Sequence, residues 1–329
     1  MKTVVKRITS ADDPTIKQAA NIIKSGGLVA FPTETVYGLG ANGLDEAACA
    51  KVYAAKGRPA DNPLILHISD KSQLSEISND VPYVSKKLID AFWPGPLSVI
   101  VQRANDTVAV RMPKNPIALK LIDLSGVPIA APSANISGRP SPTMAEHVLM
   151  DLGGKVDMIL DGGSCEVGLE STVIDFSGDT PVILRPGAVT REMIESCIGS
   201  VGQMTEIITS DEAPKSPGMK YKHYVPDAKL TVVAGEAAKV RTAIKNLADD
   251  VECAGIMATA ESAAHYGGHI VLVMGDSQDA IAANLFAALR KCDEMGLKEV
   301  FVEGLSEEGL GVAIMNRLKK AASYNIVKV

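Results

Sequence analysis

The sequence predicts an α/β protein in two parts: a twisted mixed sheet with helices, followed by a smaller doubly wound, Rossmann-like domain. Three observations carry this expectation. Up to residue 199, apolar runs of strand length are interspersed with helical patterns too irregularly for a pure βαβ series. Residues 210–227 are polar, carry three prolines and lack a hydrophobic period, as an interdomain linker does. From residue 229 onward, strands and helices alternate regularly. The expected divisions are 1–205, a linker at 206–228, and 229–329; a length of 329 residues at ~150 per domain agrees with two cores.

The elements follow in order. Residues 15–25 show a helical pattern that stops at Gly26-Gly27, and 28–32 read as a short buried strand. Asp45 is a good N-cap for a helix running to about Lys56, which Gly57 ends. Further strands are expected at 64–68, 97–102, 108–112, 129–131, 158–161, 171–175 and 182–185. Helices are expected at 81–92, 116–125, 143–152 and 190–198. The second part reads as strand 229–234, helix 236–248, strands 253–257 and 270–274, helix 277–293, strand 300–303 and helix 309–322.

Composition narrows the function. Apolar residues make up 46% and charged residues 22%, which is ordinary globular usage and excludes extensive disorder. A net charge of −6 excludes bulk attraction to polyanions, so any phosphate-binding cations must be concentrated locally. The five cysteines are widely spaced and form no C-x-x-C pair, which argues against a disulfide framework or a zinc ribbon and for a reducing cytoplasm. No stretch approaches ~18 uninterrupted apolar residues, and residues 1–13 have no h-region; a soluble, cytoplasmic protein without membrane association is expected.

The chemistry is expected in turns at strand ends of the first part. Lys56-Gly57-Arg58-Pro59 flanks a glycine with two cations, either as a phosphate clamp or as a solvated helix C-terminus favoured by the dipole. The run from Ala131 to Gly138 leaves a buried strand through Ser133, Asn135 and Ser137. It can hold phosphate or ribose oxygens, or it is an Asx turn, and Ser141 adds a hydroxyl between prolines. Ser171 sits at a strand mouth, where it can touch a small ligand, whereas Thr172 reads as a strand residue. Arg111 and Arg185 end apolar strands, positions that suit an anionic partner or a structural ion pair. Residues 31–40 pack Thr33, Glu34 and Thr35 between a buried strand and a glycine turn. His67 lies inside an apolar strand, where a hydrogen-bonded core histidine is the plainer reading, and Trp93-Pro94-Gly95-Pro96 looks mainly structural.

Other patterns point elsewhere and fail on placement. The glycines at 38, 40 and 43 match G-x-G-x-x-G but start six residues past Pro32, and Asp61 precedes rather than follows the next strand. There is no P-loop motif and no G-x-S-x-G elbow. Gly267-Gly268 breaks the helix that would align His265 with His269 on a metal.

Together these segments resemble the threonylcarbamoyl-adenylate synthase family, the YrdC-like proteins, in its two-domain form and over nearly the whole chain. The family's K-x-R and S-x-N signatures stand as Lys56-Gly57-Arg58 and Ser133-Ala134-Asn135. Around them come, in order, Pro-Thr-Glu-Thr-Val-Tyr-Gly-Leu from Pro32, Trp-Pro-Gly-Pro-Leu from Trp93, Glu-Ser-Thr-Val from Glu170 and Arg-Pro-Gly from Arg185. Residues 216–226 resemble the S-P-G-M-x-x-x-H-Y-x-P segment of two-domain members, and Glu303-Gly304-Leu305 onward resembles their C-terminal domain.

The resemblance implies a YrdC-like first domain and a reaction in which ATP, L-threonine and bicarbonate give threonylcarbamoyl-AMP, pyrophosphate and water. This would be the first step of N6-threonylcarbamoyladenosine modification at tRNA position 37. It implies a threonine pocket of Thr35, His67, Arg111, Ala131 through its backbone, and Ser171. ATP would be held by Lys56, Arg58, Asn62, Thr107, Ser133, Asn135, Ser141, Arg185 and Tyr224, with Lys56, Arg58, Ser133 and Asn135 serving the chemistry. Mg²⁺ is expected on the phosphates and water, since no carboxylate cluster is apparent. The product would pass to a tRNA threonylcarbamoyl transferase complex, and residues 216–226 would form a lid against hydrolysis. Two competing readings are a hydrogenase-maturation-type carbamoyltransferase, for which the chain lacks zinc-finger and acylphosphatase modules, and an RNA-binding module, which the −6 charge disfavours.

Overall fold

The structure, a computed structural model, describes residues 2–78, 80–104, 106–204 and 223–329. The expected lid at 216–226 therefore lies largely outside the described residues. The chain divides into two compact units, Met1–Ser137 with Ser141–Lys220, and Gly138–Pro140 with Tyr221–Val329.

The first unit is built on strands β1 (Val4–Arg7), β2 (Val29–Phe31), β3 (Gly38–Asn42), β4 (Ile65–His67), β5 (Leu97–Arg103), β6 (Asp106–Arg111), β7 (Ile129–Ala130), β8 (Met158–Asp161), β9 (Thr172–Asp175), β10 (Val182–Arg185) and β11 (Gly202–Gln203). They form one mixed sheet in the order β1-β8-β2-β3-β7-β4-β6-β5-β9-β10-β11. Its helices are α1 (Thr15–Lys24), α2 (Glu46–Lys56), α3 (Leu74–Ile77), α4 (Tyr83–Phe92), α5 (Pro116–Ser125), α6 (Ala145–Leu152) and α7 (Arg191–Ile198).

Local chemistry explains the helix ends. Asp45 accepts from the Ala47 and Ala48 amides at the start of α2, and Gly57 closes that helix at φ 61°, a left-handed conformation that costs glycine little. Ile16, Ala19, Ala20 and Ile23 recur at helical spacing on α1 and are buried. With Ile117, Leu121 and Ile122 of α5 they cover one face of the sheet at its β1-β8-β2 end. The opposite face is filled by a cluster that includes Ala48, Val52 and Val148, and by another that includes Leu88, Ile89 and Ile194.

The structure adds strands that the pattern left unassigned. The glycine turn expected at 38–40 is strand β3, antiparallel to both β2 and β7. A Cβ at Gly40 would meet the Phe31 ring and Ile129 at 2.8 Å, so glycine is required there for close sheet packing rather than for a turn. β1 is exposed along its length, and edge strands held only by ladder bonds show no buried face for a sequence to reveal.

The second unit has strands β12 (Lys229–Ala234), β13 (Ala254–Thr259), β14 (Ile270–Gly275), β15 (Glu299–Glu303) and β16 (Ile326–Lys328), the last unassigned from sequence, with helices α8 (Ala237–Asp249), α9 (Gln278–Glu294) and α10 (Gly311–Ala321). The sheet is parallel throughout in the order β14-β13-β15-β12-β16. Connections from β12 and β13 run one way and those from β14 and β15 the other, which makes the unit doubly wound; β15 lies between β13 and β12.

Candidate active site

Strand register assembles the site. Across β4, β6, β5, β9 and β10 the paired residues are His67, Arg111, Ser98, Val173 and Arg185, one row crossing five neighbouring strands. Residues in register share a sheet face, so His67 and Arg111 stand side by side at ~4.8 Å strand spacing, and Arg185 lies three strands beyond Arg111, roughly 14 Å away.

Arg111 is 4% exposed, and its side-chain bonds go to groups outside the row. Its Nη2 donates to Glu34 Oε1 at 2.6 Å, Nη1 donates to Thr35 Oγ1 at 2.9 Å, and Nε donates to the Gly95 carbonyl at 3.3 Å. The Trp93-Pro94-Gly95-Pro96 turn, read as mainly structural, thus helps to aim the guanidinium. Glu34 also accepts from the Lys114 amide at 3.0 Å. Burial alone would raise the Glu34 pKa, but the Arg111 charge and these hydrogen bonds hold it below the usual carboxylate range.

Proton directions follow from the donors available. Thr33 Oγ1 donates to the Val36 carbonyl at 2.6 Å, so in its 2.8 Å contact with Thr35 Oγ1 the proton comes from Thr35. Thr35 therefore donates to Thr33, accepts from Arg111, and keeps one lone pair for a ligand. His67 Nδ1 lies 3.1 Å from the Ile65 carbonyl, and the Ile129 carbonyl is a second backbone acceptor for the ring. Burial and the nearby Arg111 push the His67 pKa down to about 3, leaving the imidazole neutral. The sequence reading of a hydrogen-bonded core histidine describes it well, and it also belongs to the row.

The sign of the resulting pH effect is fixed. The His67 contribution to stability is complete above its unfolded value of about 6.5 and is lost progressively as pH falls toward about 3. Glu34 adds stability above the ordinary carboxylate pKa that is lost as pH falls through its lowered value. Urea unfolding at pH 7.5 and pH 5 is expected to show lower stability at pH 5, with His67→Asn shrinking the difference.

Ser171 is bracketed by Arg185, whose Nε donates to its carbonyl at 3.0 Å and Nη2 to its hydroxyl at 3.2 Å, and its Oγ meets Ser98 Oγ at 2.8 Å. Ser141 is fully buried and donates to Glu170 Oε1 at 2.5 Å. Ala131 continues the β7 line, its amide donating to the Ile65 carbonyl at 3.0 Å.

The K-x-R and S-x-N segments are clasped together. Lys56, 2% exposed at the end of α2, donates through Nζ to the carbonyls of Ser133 and, at 2.6 Å, of Asn135. In return the Ser137 amide donates to the Lys56 carbonyl at 2.9 Å. Lys56 therefore shapes the loop that carries Ser133 and Asn135, a role its position at a helix end did not reveal. Arg58 donates through Nε to the Asn62 carbonyl at 3.2 Å and through Nη2 to the Pro63 carbonyl at 2.9 Å. Asn62 is 1% exposed, and its Oδ1 has no hydrogen-bond partner among the described residues.

Thr107 stands apart from these groups. It lies four residues before Arg111 on the same strand face, ~13 Å away at the usual strand rise. Tyr224 belongs to the second unit, where it is 5% exposed, holds φ at 67° and stacks on Phe286 at 5.0 Å. Glu34, Glu170 and Ser98 were not singled out as ligands from sequence; the two carboxylates lie inside motifs, whereas Ser98 gave no signal beyond its strand.

The site is a buried row of two arginines and a neutral imidazole with hydroxyls on a mixed sheet, beside a lysine-clasped loop, in a chain whose family models are of the YrdC-like class. Residues 21–187 match the Sua5/YciO/YrdC family described as telomere recombination, and residues 189–323 match the threonylcarbamoyl-AMP synthase C-terminal domain. The chain belongs to the threonylcarbamoyl-AMP synthase family. The threonylcarbamoyl-AMP synthase of Pyrococcus abyssi is 48% identical over 95% of this chain and 96% of its own length, and that of Bacillus subtilis is 45% identical over 97% and 96%. The solved structure of P. abyssi Sua5 complexed with L-threonine superposes with a TM-score of 0.94 at 46% identity, covering 100% of both chains.

Proposed function

We propose that this site makes threonylcarbamoyl-AMP by joining L-threonine, bicarbonate-derived carbon dioxide and ATP. As a member of its family the chain is an adenylyl-transferring enzyme. The observation that carries the residue-level reading is the row of His67, Arg111 and Arg185, flanked by Thr35, Ser171 and the Lys56-clasped loop.

The threonine carboxylate belongs at Arg111, and its amine or hydroxyl can donate to Thr35 Oγ1, with His67, the Ala131 backbone and Ser171 completing the pocket. Within the first unit, ATP belongs to Lys56, Arg58, Asn62, Thr107, Ser133, Asn135, Ser141 and Arg185; the unpartnered Asn62 Oδ1 is a ready acceptor for a base or ribose donor. The threonine amine adds to carbon dioxide and loses a proton to form an N-carboxylate. That oxygen attacks the α-phosphorus, and the bond to pyrophosphate breaks. The protein mainly positions the reactants and stabilises phosphate charge.

Mg²⁺ enters as part of the MgATP substrate. It would be held by the phosphates and water, while Glu34 and Glu170 bond to Arg111 and Ser141. Delivery of the adenylate to a tRNA threonylcarbamoyl transferase and a cytoplasmic location complete the proposal; no helix among the described residues is long and apolar enough to cross a membrane.

The test is pyrophosphate release from MgATP with threonine or bicarbonate omitted in turn, and mass detection of the product. Release that needs both and yields threonylcarbamoyl-AMP is expected. Release independent of threonine would overturn the reading.

A further inference from the structure

Two buried hydroxyls of the first unit meet across neighbouring strands. Ser98 lies on β5 and is sealed from solvent, Ser171 precedes β9 and is 1% exposed, and their Oγ atoms are 2.8 Å apart. The chain around them is fixed. The Thr172 amide donates to the Pro96 carbonyl at 3.0 Å, Thr172 Oγ1 donates to the Val189 carbonyl at 2.6 Å, and Arg185 Nε holds the Ser171 carbonyl at 3.0 Å. Register pairs Leu97 with Thr172 and Ser98 with Val173, and on its other side sets Ser98 against Arg111, the residue proposed to take the threonine carboxylate.

Counting donors and acceptors gives the pair a direction. A hydroxyl has one proton and two lone pairs. Among the described residues, the Ser98 hydroxyl has one partner, the Ser171 oxygen. Ser171 Oγ also accepts from Arg185 Nη2 at 3.2 Å, and a guanidinium cannot accept in return. Were Ser171 to donate to Ser98, the Ser98 proton would be enclosed without an acceptor, an arrangement that buried polar groups avoid. Ser98 therefore donates, both lone pairs of Ser171 Oγ are filled, and the Ser171 proton is left for a ligand. Thr35 has the opposite polarity, because its oxygen keeps a lone pair after donating to Thr33 and accepting from Arg111.

We propose that Ser98 is a positioning residue for threonine: by filling the second lone pair of Ser171 Oγ it turns the Ser171 proton toward the substrate. Ser171 then donates to the threonine carboxylate, while Thr35 accepts from the amine or hydroxyl. This rests on the assignment of Thr35, Arg111 and Ser171 to the threonine pocket. Ser98→Ala removes the donor, whereas Ser98→Thr keeps it on a residue suited to a strand.

Calorimetric titration of L-threonine into the full chain is expected to show a dissociation constant raised about fivefold in Ser98→Ala and within about twofold of wild type in Ser98→Thr. KM for ATP in pyrophosphate release is expected to stay within about twofold, a split that a general packing defect would not produce. In a Ser171→Ala background the effect of Ser98→Ala is expected to vanish. Unchanged threonine affinity in Ser98→Ala, an equal rise in KM for ATP, no recovery in Ser98→Thr, or the full effect persisting in Ser171→Ala overturns the proposal.

L-threoninol, which keeps the amine but replaces the carboxylate by an alcohol, tests the polarity. Its competition with threonine is expected to be lost or to be insensitive to Ser98→Ala. A weakening equal to that of threonine would place the amine at Ser171 and overturn the proposal. Should Ser98→Ala fail to fold, Ser98→Cys, which keeps the shape with a weak donor, is read in the same way, and unchanged threonine affinity overturns the role of Ser98. If Ser171→Ala alone leaves threonine affinity unchanged, the pocket assignment fails and this proposal with it; threonine-independent pyrophosphate release by the wild type would instead overturn the functional reading itself.

Discussion

Lys56→Met is expected to lower turnover ~10²–10³-fold, the loss typical of removing one preorganised charge donor. It is also expected to destabilise the first unit, because the Lys56 ammonium is the donor that meets the Ser133 and Asn135 carbonyls. Each buried carbonyl left unpaired costs about 1–3 kcal/mol. Lys56→Arg should not restore activity, since a planar guanidinium cannot replace a compact ammonium held between two converging carbonyls. Pyrophosphate release and urea unfolding separate the two effects. A variant that loses stability but keeps wild-type turnover would make Lys56 a loop anchor alone and pass the phosphate charge to Arg58 and Arg185.

Arg111→Met is expected to be the more severe change for the fold. The ion pair with Glu34 is 2.6 Å long, and its two side chains are 5% and 4% exposed. Removing the cation leaves a buried carboxylate uncompensated, a loss of about 3–5 kcal/mol. The double variant Glu34→Gln with Arg111→Met removes that stranded charge and is expected to recover most of the stability while threonine-dependent pyrophosphate release stays lost. Unfolding free energies of the three variants check the first statement, and release assays check the second. If the double variant regained threonine dependence, the threonine carboxylate would have to bind elsewhere.

These two variants mark where sequence and tertiary structure part. Arg111 was legible because a guanidinium closing an apolar strand before Met112-Pro113 needs an anion. Its partner Glu34 lies 77 positions earlier in the chain, and no local pattern links them. The role of Lys56 as clasp was likewise hidden, because its acceptors are main-chain carbonyls that any residue could supply. The glycines at 38 and 40 misled as a turn because sheet packing and turn geometry both call for glycine, and at Gly40 only the contact with Phe31 and Ile129 separates them.

What the sequence determined by itself was local or motif-borne. Asp45 and Gly57 set the ends of α2, the apolar period set α1, the regular alternation after residue 229 set the parallel unit, and the K-x-R and S-x-N signatures pointed to the family. Only the tertiary structure decided the row His67-Arg111-Ser98-Val173-Arg185, the exposed strand β1, the added strand β16, and the membership of residues 138–140 in the second unit. The physical reason is that caps and periodicity act within a few residues through side chains, whereas strand pairing is made by backbone groups that are nearly the same in every residue. Which side chains become neighbours across a sheet is therefore settled by register over the whole fold.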